Sequence, residues 1–250
     1  MPDLWQECEL AERLEPIGGV LTRIVESQEQ VATTGLVDTL EEQSVLEEML
    51  EATKPPPRPG SEDLHYLLLT PFRYPPLRHG SRFGGRFEPS LLYGSLTTDT
   101  ALAEAAYYRL VFWSGMQTPP SSPLRSRHTL FRARYGTDGG LRLHRPPCDR
   151  KRPVLTDPAD YAATQQLGRT MREAGIRGFE SPSARDPNGG INVGLFEPSA
   201  LTSRSPTEWE GWLCEVTGER VTFLQLTGGR IERFPADTFR VNGQLPQPAV

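Results

Sequence analysis

Glycine and proline together make up about a fifth of this chain, 23 and 24 of its 250 residues. That richness constrains the fold more than any other feature. Glycine weakens a helix interior and proline removes a backbone donor, so a long-helix bundle is disfavoured. Short elements joined by many turns and long ordered loops are expected instead. The length can bury a substantial core, in one large domain or two small ones. No window approaches the ~18 consecutive apolar residues of a membrane span. The opening MPDLWQECEL is acidic from its third residue and lacks the basic-then-apolar form of a secretory signal. Cys8, Cys148 and Cys214 are odd in number and far apart. They are expected to form neither a disulfide framework nor a zinc site. The expectation is a soluble, metal-free protein of the reducing cytoplasm.

The formal charge of −5 hides a split. Residues 1–51 hold 13 acids against only Arg13 and Arg23, whereas the rest of the chain is net basic. Lys54 and Lys151 are the only lysines, so nearly every base is an arginine. Arginine-rich genome composition accounts for this as well as function does. The functional reading is that the main domain handles an anion, because the guanidinium fork matches phosphate bidentately. Charge alone does not separate a nucleic acid from a small phosphorylated ligand.

Residues 1–51 read as helical. Leu4, Trp5, Cys8, Ala11 and Leu14 fall near one face, and Val20, Leu21, Ile24, Val25 and Val31 nearly do. A third helix, 38–51, would bury Val45, Leu46, Met49 and Leu50 behind a Thr39…Glu42 capping box. Residues 54–60, KPPPRPG, form a stiff linker and the best candidate boundary. It separates an acidic helical extension, 1–58, from a main domain, 59–250. There, 65–70 and 91–95 read as short strands. A helix from about 100 to 114, capped by Thr98 or Asp99, carries Leu102, Ala105, Ala106, Leu110 and Trp113 as its core stripe. Glu104 lies off that stripe. Residues 129–135 would pair with 141–145 through a turn at Gly136–Gly140. Asp157-Pro158 would start a helix bearing Tyr161, Thr164, Leu167 and Met171 and ending at Gly175. Strands at 176–181, 191–196, 212–216, 221–226 and 230–234 follow, the last three joined by tight turns. The fold class is α+β, with mixed, mainly antiparallel sheets and flanking helices.

Walker, HExxH and CxxC patterns are absent. His65, His79, His128 and His144 are scattered and read as surface or strand histidines. The informative stretch is 71–113, which combines five arginines, several aromatics and the off-stripe Glu104. Arginines suit a pyrophosphate, aromatic faces a flat heterocycle, and a carboxylate a developing positive charge. That trio fits N-glycosidic cleavage of a dinucleotide through an oxocarbenium-like state. An ordinary loop with solvated arginines fits it too.

The order Phe72-Arg73-Tyr74, Ser81-Arg82-Phe83-Gly84, Leu92-Tyr93-Gly94-Ser95, Ala101-Leu102-Ala103-Glu104, then Ser181-Pro182-Ser183-Ala184-Arg185 with Asn192 and Leu195-Phe196, resembles the RES-domain family over about residues 65–200. The resemblance implies an ADP-ribosyltransferase-like core and a bacterial toxin that consumes NAD+, with phosphate or water as acceptor. It also implies a Xre-type, helix-turn-helix antitoxin as partner. NAD+ would be the substrate rather than a resident cofactor, and no metal is required. A homo-oligomer is expected, and neither a membrane nor a nucleic acid is expected as partner. A protein ADP-ribosyltransferase and a non-enzymatic nucleic-acid-binding protein are the rival readings.

Carried over by motif, Arg73 and Tyr74 would grip the NAD+ phosphates and line the nicotinamide pocket. Arg82 is preferred as the second family arginine, with Arg86 as a second phosphate or loop contact. Neither is followed by the usual Asn. Tyr93 would shape the nicotinamide-ribose site. Glu104 would bind ribose hydroxyls and steady the oxocarbenium. Ser183 has no base in its motif and would serve as a hydrogen-bond donor to substrate. Asn192 is a further ligand candidate. A sharper expectation is that the acidic 1–51 segment shields the basic cleft and damps activity, so that its deletion would raise NAD+ turnover.

Overall fold

The structure is a computed structural model that describes residues 3–27 and 36–247. Eight strands form one mixed, mostly antiparallel sheet. They are β1 (Glu15–Glu26), β2 (Leu92–Ser95), β3 (Leu124–Arg142), β4 (Gly178–Pro182), β5 (Ile191–Leu195), β6 (Glu208–Val216), β7 (Arg220–Gln225) and β8 (Ile231–Pro235). Their order is β1-β2-β5-β4-β3-β6-β7-β8, and β1 also pairs with β3, so the first five strands close on themselves. The antiparallel β6–β7–β8 meander extends the sheet from the first half of β3. The β3–β4 pair is parallel. Around the sheet lie α1 (Leu4–Glu7), α2 (Leu40–Thr53), α3 (Tyr66–Arg73), α4 (Thr98–Ser114), α5 (Arg152–Leu155) and α6 (Ala162–Glu173). Among the described residues no helix is long and apolar enough to cross a membrane.

Three apolar clusters hold these layers. α4 packs Leu102, Ala106 and Leu110 onto Trp212 and Phe223 of the meander. α3 packs Leu67, Leu68 and Phe72 onto Leu21, Leu92 and Phe131. α1 and α6 close over Leu141, Leu143, Phe179 and Phe196. The expected stripe of α4, the strands β2, β4 and β5 and the tail hairpins stand where the sequence places them. The Thr39–Glu42 capping box is also present.

Several expectations are corrected. Residues 15–26 are not helical: β1 runs antiparallel along β3 from Glu15↔Gly140 to Glu26↔His128. Its alternation is weak because only Ile17, Leu21 and Thr22 are buried, so a helical face read equally well. β1 therefore belongs to the central sheet and not to an N-terminal extension. Val31 lies outside the described residues. In α2 no residue is buried, and Val45, Met49 and Leu50 are exposed. Residues 65–70 are helical, not a strand. The His65 imidazole accepts from the Leu67 N–H at the start of α3, and a short apolar run fits either period.

The expected hairpin over 129–145 is one 19-residue strand. Its glycines make room rather than a turn: a Cβ on Gly140 would sit 2.4 Å from the Ile17 side chain of β1. The helix expected from Asp157 begins at Ala162. The Asp157 carboxylate is used in a local turn, accepting from the N–H groups of Ala159 and Asp160. The cysteines are corrected too. Cys8 and Cys148, both fully buried, are joined in a disulfide that spans 140 residues, leaving Cys214 free. The packing of α1 against 148–151 brings them together, and sequence distance conceals it.

Candidate active site

The side chain of Thr97 caps α4 by accepting the Thr100 N–H, and the helix carries Glu104 at the end of its second turn. In the sheet, Asn192 of β5 stands opposite both Ser95 of β2 and Ser181 of β4. Ser183 follows directly after β4. These elements converge on one carboxylate. Glu104 Oε1 accepts a hydrogen bond from Ser183 Oγ at 2.6 Å and another from Asn192 Nδ2 at 2.6 Å. Asn192 is oriented in turn by Ser95, whose hydroxyl donates to its Oδ1 at 2.7 Å. Glu104 Oε2 has no hydrogen-bond partner among the described residues. The carboxylate is thus fixed through one oxygen and open at the other.

The loop after β4 is clamped to α4 at a second point. The Thr100 hydroxyl donates to Asp186 Oδ2 at 2.8 Å, and the Ser183 N–H donates to the Gly190 carbonyl at 2.8 Å. Gly190 is required by this approach, because a Cβ there would lie 2.0 Å from Thr100 Oγ1. Ser183 Oγ accepts from the backbone N–H groups of Arg185 and Asp186 while donating to Glu104. Its proton points at the carboxylate, so the hydroxyl and Glu104 hold each other in place. The sequence had pointed its donation at the substrate.

Arg82 lies partly buried at the edge of this group. Its Nη1 donates to the carbonyls of Asp157 (2.7 Å) and Leu155 (3.3 Å), and its guanidinium sits 4.5 Å from the Tyr161 ring centroid. Tyr93 supports the same loop from below. Its hydroxyl accepts the Phe83 N–H at 3.0 Å and lies 3.1 Å from Ser81 Oγ. Burial pushes that phenol up to about 12.

Other expected residues lie apart from the Glu104 contacts. Arg73 Nη1 pairs with Glu51 Oε1 at 2.6 Å, and its Nε donates to the Pro55 carbonyl at 2.5 Å. Tyr74 is exposed and its carbonyl accepts from Ser90. Arg86 is exposed and stacks on Phe87, itself 92% exposed. Between the two candidates, Arg82 is the one that the fold brings toward Glu104. A cavity of about 330 Å³ beside Cys148, lined among others by Arg13, Glu15, Arg142 and Arg145, contains none of these residues.

A family model described as the RES domain matches residues 55–215. The chain belongs to the RES-domain family. Among curated proteins none matches it. Among solved structures it is similar to a chain of the M. tuberculosis MbcT-MbcA toxin-antitoxin complex, at 12% identity and a TM-score of 0.47. That similarity covers 87% of this chain and 94% of the other.

Within this RES domain the structure adds residues that motif reading passed over. Arg185, 5% exposed, stacks its guanidinium 3.5 Å from the Tyr107 ring centroid. Its Nη2 donates to the Pro158 carbonyl at 2.7 Å and to Tyr161 Oη at 3.2 Å. Burial pushes the Tyr107 phenol up to about 12, with Arg185 opposing the shift. Tyr161 and Tyr107 look like core aromatics in sequence, and Arg185 like mere context for Ser183. Only folding shows that they share one corner. Among the described residues no group of three His, Cys, Asp or Glu side chains could hold a metal. None of the four histidines touches Glu104, and burial depresses His128 to about 4.

Proposed function

We propose that this RES-domain protein is the toxin of a toxin–antitoxin pair, and that it cleaves NAD+ at the nicotinamide–ribose bond. The observation that supports this reading best is the half-tethered Glu104 carboxylate. Two donors hold Oε1, so no reorganisation is needed when charge develops in front of Oε2. As the C–N bond breaks, its electron pair leaves with nicotinamide, whose ring nitrogen was cationic in NAD+ and becomes neutral. The positive charge passes to the ribose as an oxocarbenium. A carboxylate at that position stabilises it, as in glycoside hydrolysis. Attack by a phosphate oxygen gives a sugar phosphate, and attack by water gives ADP-ribose and a proton. Either product leaves the carboxylate unchanged.

A Xre-type antitoxin is the partner that this reading expects, with the cytoplasm as the compartment. The acidic N-terminal region has a place in it as well. Glu51 at the end of α2 and the Pro55 carbonyl hold Arg73, the residue that family likeness assigns to the NAD+ phosphates. In this reading the α2–linker segment damps activity by occupying that guanidinium. The deletion suggested by charge is not a usable test, because residues 1–51 include β1.

The decisive experiment measures nicotinamide release from NAD+ by antitoxin-free protein, with and without phosphate, beside Glu104→Gln. Glutamine can keep both tethering hydrogen bonds and remove only the charge. The expected loss is roughly 100- to 1,000-fold, typical for a preorganised electrostatic contact. Phosphate stimulation would name the acceptor. A folded Glu104→Gln protein that releases nicotinamide at the wild-type rate would overturn the assignment.

A further inference from the structure

We propose that the Cys8–Cys148 disulfide is an exchange site for a small thiol, and that its redox state sets how firmly the segment from Cys148 to Tyr161 holds the wall of the Glu104 site. The inference goes beyond the NAD+ reading and takes from it only the reducing compartment and one readout.

Cys8 caps the end of α1, and Cys148 opens the helical turn 148–151 that leads into α5. Lys151 pairs with Glu7 across the same junction. Leu4, Cys8, Cys148, Leu155, Leu167 and Met171 share one apolar cluster, so α1 closes over α5 and α6 where the bond lies. The disulfide is the covalent part of that closure.

From this junction the chain runs directly to the site. The Leu155 and Asp157 carbonyls accept from Arg82, and the Pro158 carbonyl and Tyr161 hydroxyl accept from Arg185. Arg185 in turn donates its backbone N–H to the Ser183 hydroxyl that tethers Glu104. Arg152 of α5 reaches the loop after β4, where a Cβ on Gly189 would lie 2.8 Å from its Nη2. Coupling between two sites needs an element with two arrangements. The 148–161 segment is that element, bonded to α1 or released from it.

Both cysteines are buried, yet Cys148 also lines the cavity of about 330 Å³ at the start of β1 and the end of β3. Its lining includes the exposed Arg13, Leu14 and Arg145, so it opens to solvent. Glu12 and Glu15 stand among its arginines, so it offers a thiol room rather than a net charge.

A thiolate entering there attacks the Cys148 sulfur. A mixed disulfide forms as the Cys8–Cys148 bond breaks, and Cys8 leaves as a thiolate that takes up a proton. A second thiol attacks the mixed disulfide, frees Cys148 as a thiol and departs joined to the first. Two electrons and two protons pass from the thiols to the protein. In a reducing compartment disulfides are rare, and those present are mostly catalytic or redox-sensing. Once the bond is reduced, the Glu7–Lys151 pair and the apolar cluster remain, so the fold persists while 148–161 opens more often. Arg82 and Arg185 then lose fixed acceptors, and activity falls.

The test equilibrates the full chain in glutathione buffers of rising oxidised fraction. Thiols are counted by alkylation in denaturant, protection of 148–161 is read by hydrogen exchange, and nicotinamide release is measured in parallel. Wild type should move reversibly between one thiol and three. Reduction should lower protection of 148–161 but not of the β6–β8 meander, and should slow nicotinamide release several-fold. Cys8→Ser and Cys148→Ser should match reduced wild type and ignore the buffer, whereas Cys214→Ser should switch like wild type. A bond that the native protein keeps in millimolar reduced glutathione is a structural staple and overturns the proposal. So do global unfolding on reduction, unchanged protection of 148–161 and, where the oxidised protein releases nicotinamide, an unchanged rate. If Cys148→Ser does not fold, Cys8→Ser decides, because it removes the same bond from the other end. The two readings fail separately. Reversible loss of protection at 148–161, with no nicotinamide release in either state, keeps the exchange site and removes the NAD+ reaction. Nicotinamide release with protection indifferent to redox state does the reverse.

Discussion

Replacing Gly190 by alanine tests whether the loop after β4 is seated on α4 as described. The added Cβ would lie 2.0 Å from Thr100 Oγ1 and 2.4 Å from Asp186 Oδ2. Both belong to the clamp, so neither can move away without breaking it. Overpacking of this kind costs about 1–3 kcal/mol. Losing the Thr100–Asp186 bond, in which the acceptor is charged, adds about 1.5–3 kcal/mol. A total near 3 kcal/mol should lower the melting temperature by roughly 6–12 °C in a chain of this length. Ser183 sits on the same loop, so nicotinamide release should fall along with stability.

The mechanism is checked by a double-mutant cycle with Thr100→Ala. Alone, that change removes the hydroxyl from Asp186 and should cost about 1.5–3 kcal/mol. In the Gly190→Ala background the bond is already broken and the clashing oxygen is removed, so Thr100→Ala should cost little or restore stability. A coupling of about 1.5 kcal/mol or more is expected, read from denaturant unfolding of the four proteins. Effects that add within about 0.5 kcal/mol, the behaviour of independent sites, would refute the clamp.

Other outcomes follow from the same structure. Without reductant, unfolded protein should titrate one thiol, Cys214, and three after reduction. Closing a loop of 140 residues contributes up to about 5 kcal/mol by chain entropy, so reduction should lower the melting temperature markedly. Three titratable thiols before reduction would rule out the bond. The imidazole of His128 is kept neutral by burial and by nearby Arg109, depressed from 6.5 to about 4. The unfolded chain therefore takes up this proton first as pH falls. The associated stability, on the order of 3 kcal/mol, is present above pH 6.5 and lost toward pH 4. A His128→Gln protein should lose less stability over that window, and an equal loss would remove His128 as the cause. Glu51→Ala should raise nicotinamide release by freeing Arg73, whereas an unchanged or lower rate from a folded variant would end the damping role of α2. The carboxylate of Glu51 is held below its usual range by its bonds to Lys54 and Arg73. Release should accordingly rise in wild type, but not in the variant, as pH is lowered enough to protonate it.

Local physics was enough for some of this protein. α4 is readable because a run of good helix formers and a 3.6-residue apolar period agree over four turns, although its cap is Thr97 and not the expected Thr98 or Asp99. The capping box of α2 and the turns of the β6–β8 meander are local in the same sense. The order of short motifs from Arg73 to Asn192 was enough to place the chain in its family and to single out Glu104, Ser183 and Asn192.

Tertiary structure decided what depends on partners far along the chain. β1 is a strand because β3 offers it a ladder more than a hundred residues away, and its own alternation is too weak to announce this. Gly136–Gly140 looks like a turn, but it pairs with β1 as part of β3, and the Ile17 side chain leaves no room for a Cβ at Gly140. Cys8 finds Cys148 only after α1 docks. Arg82 rather than Arg86 joins the Glu104 corner because Tyr93 pins the Ser81–Phe83 loop and Tyr161 receives the guanidinium. Arg185 is an ordinary arginine until the fold buries it against the Tyr107 ring and the Pro158 carbonyl, close to Glu104. Charge balance at a site is a property of three-dimensional proximity, and no period or motif in the chain encodes it.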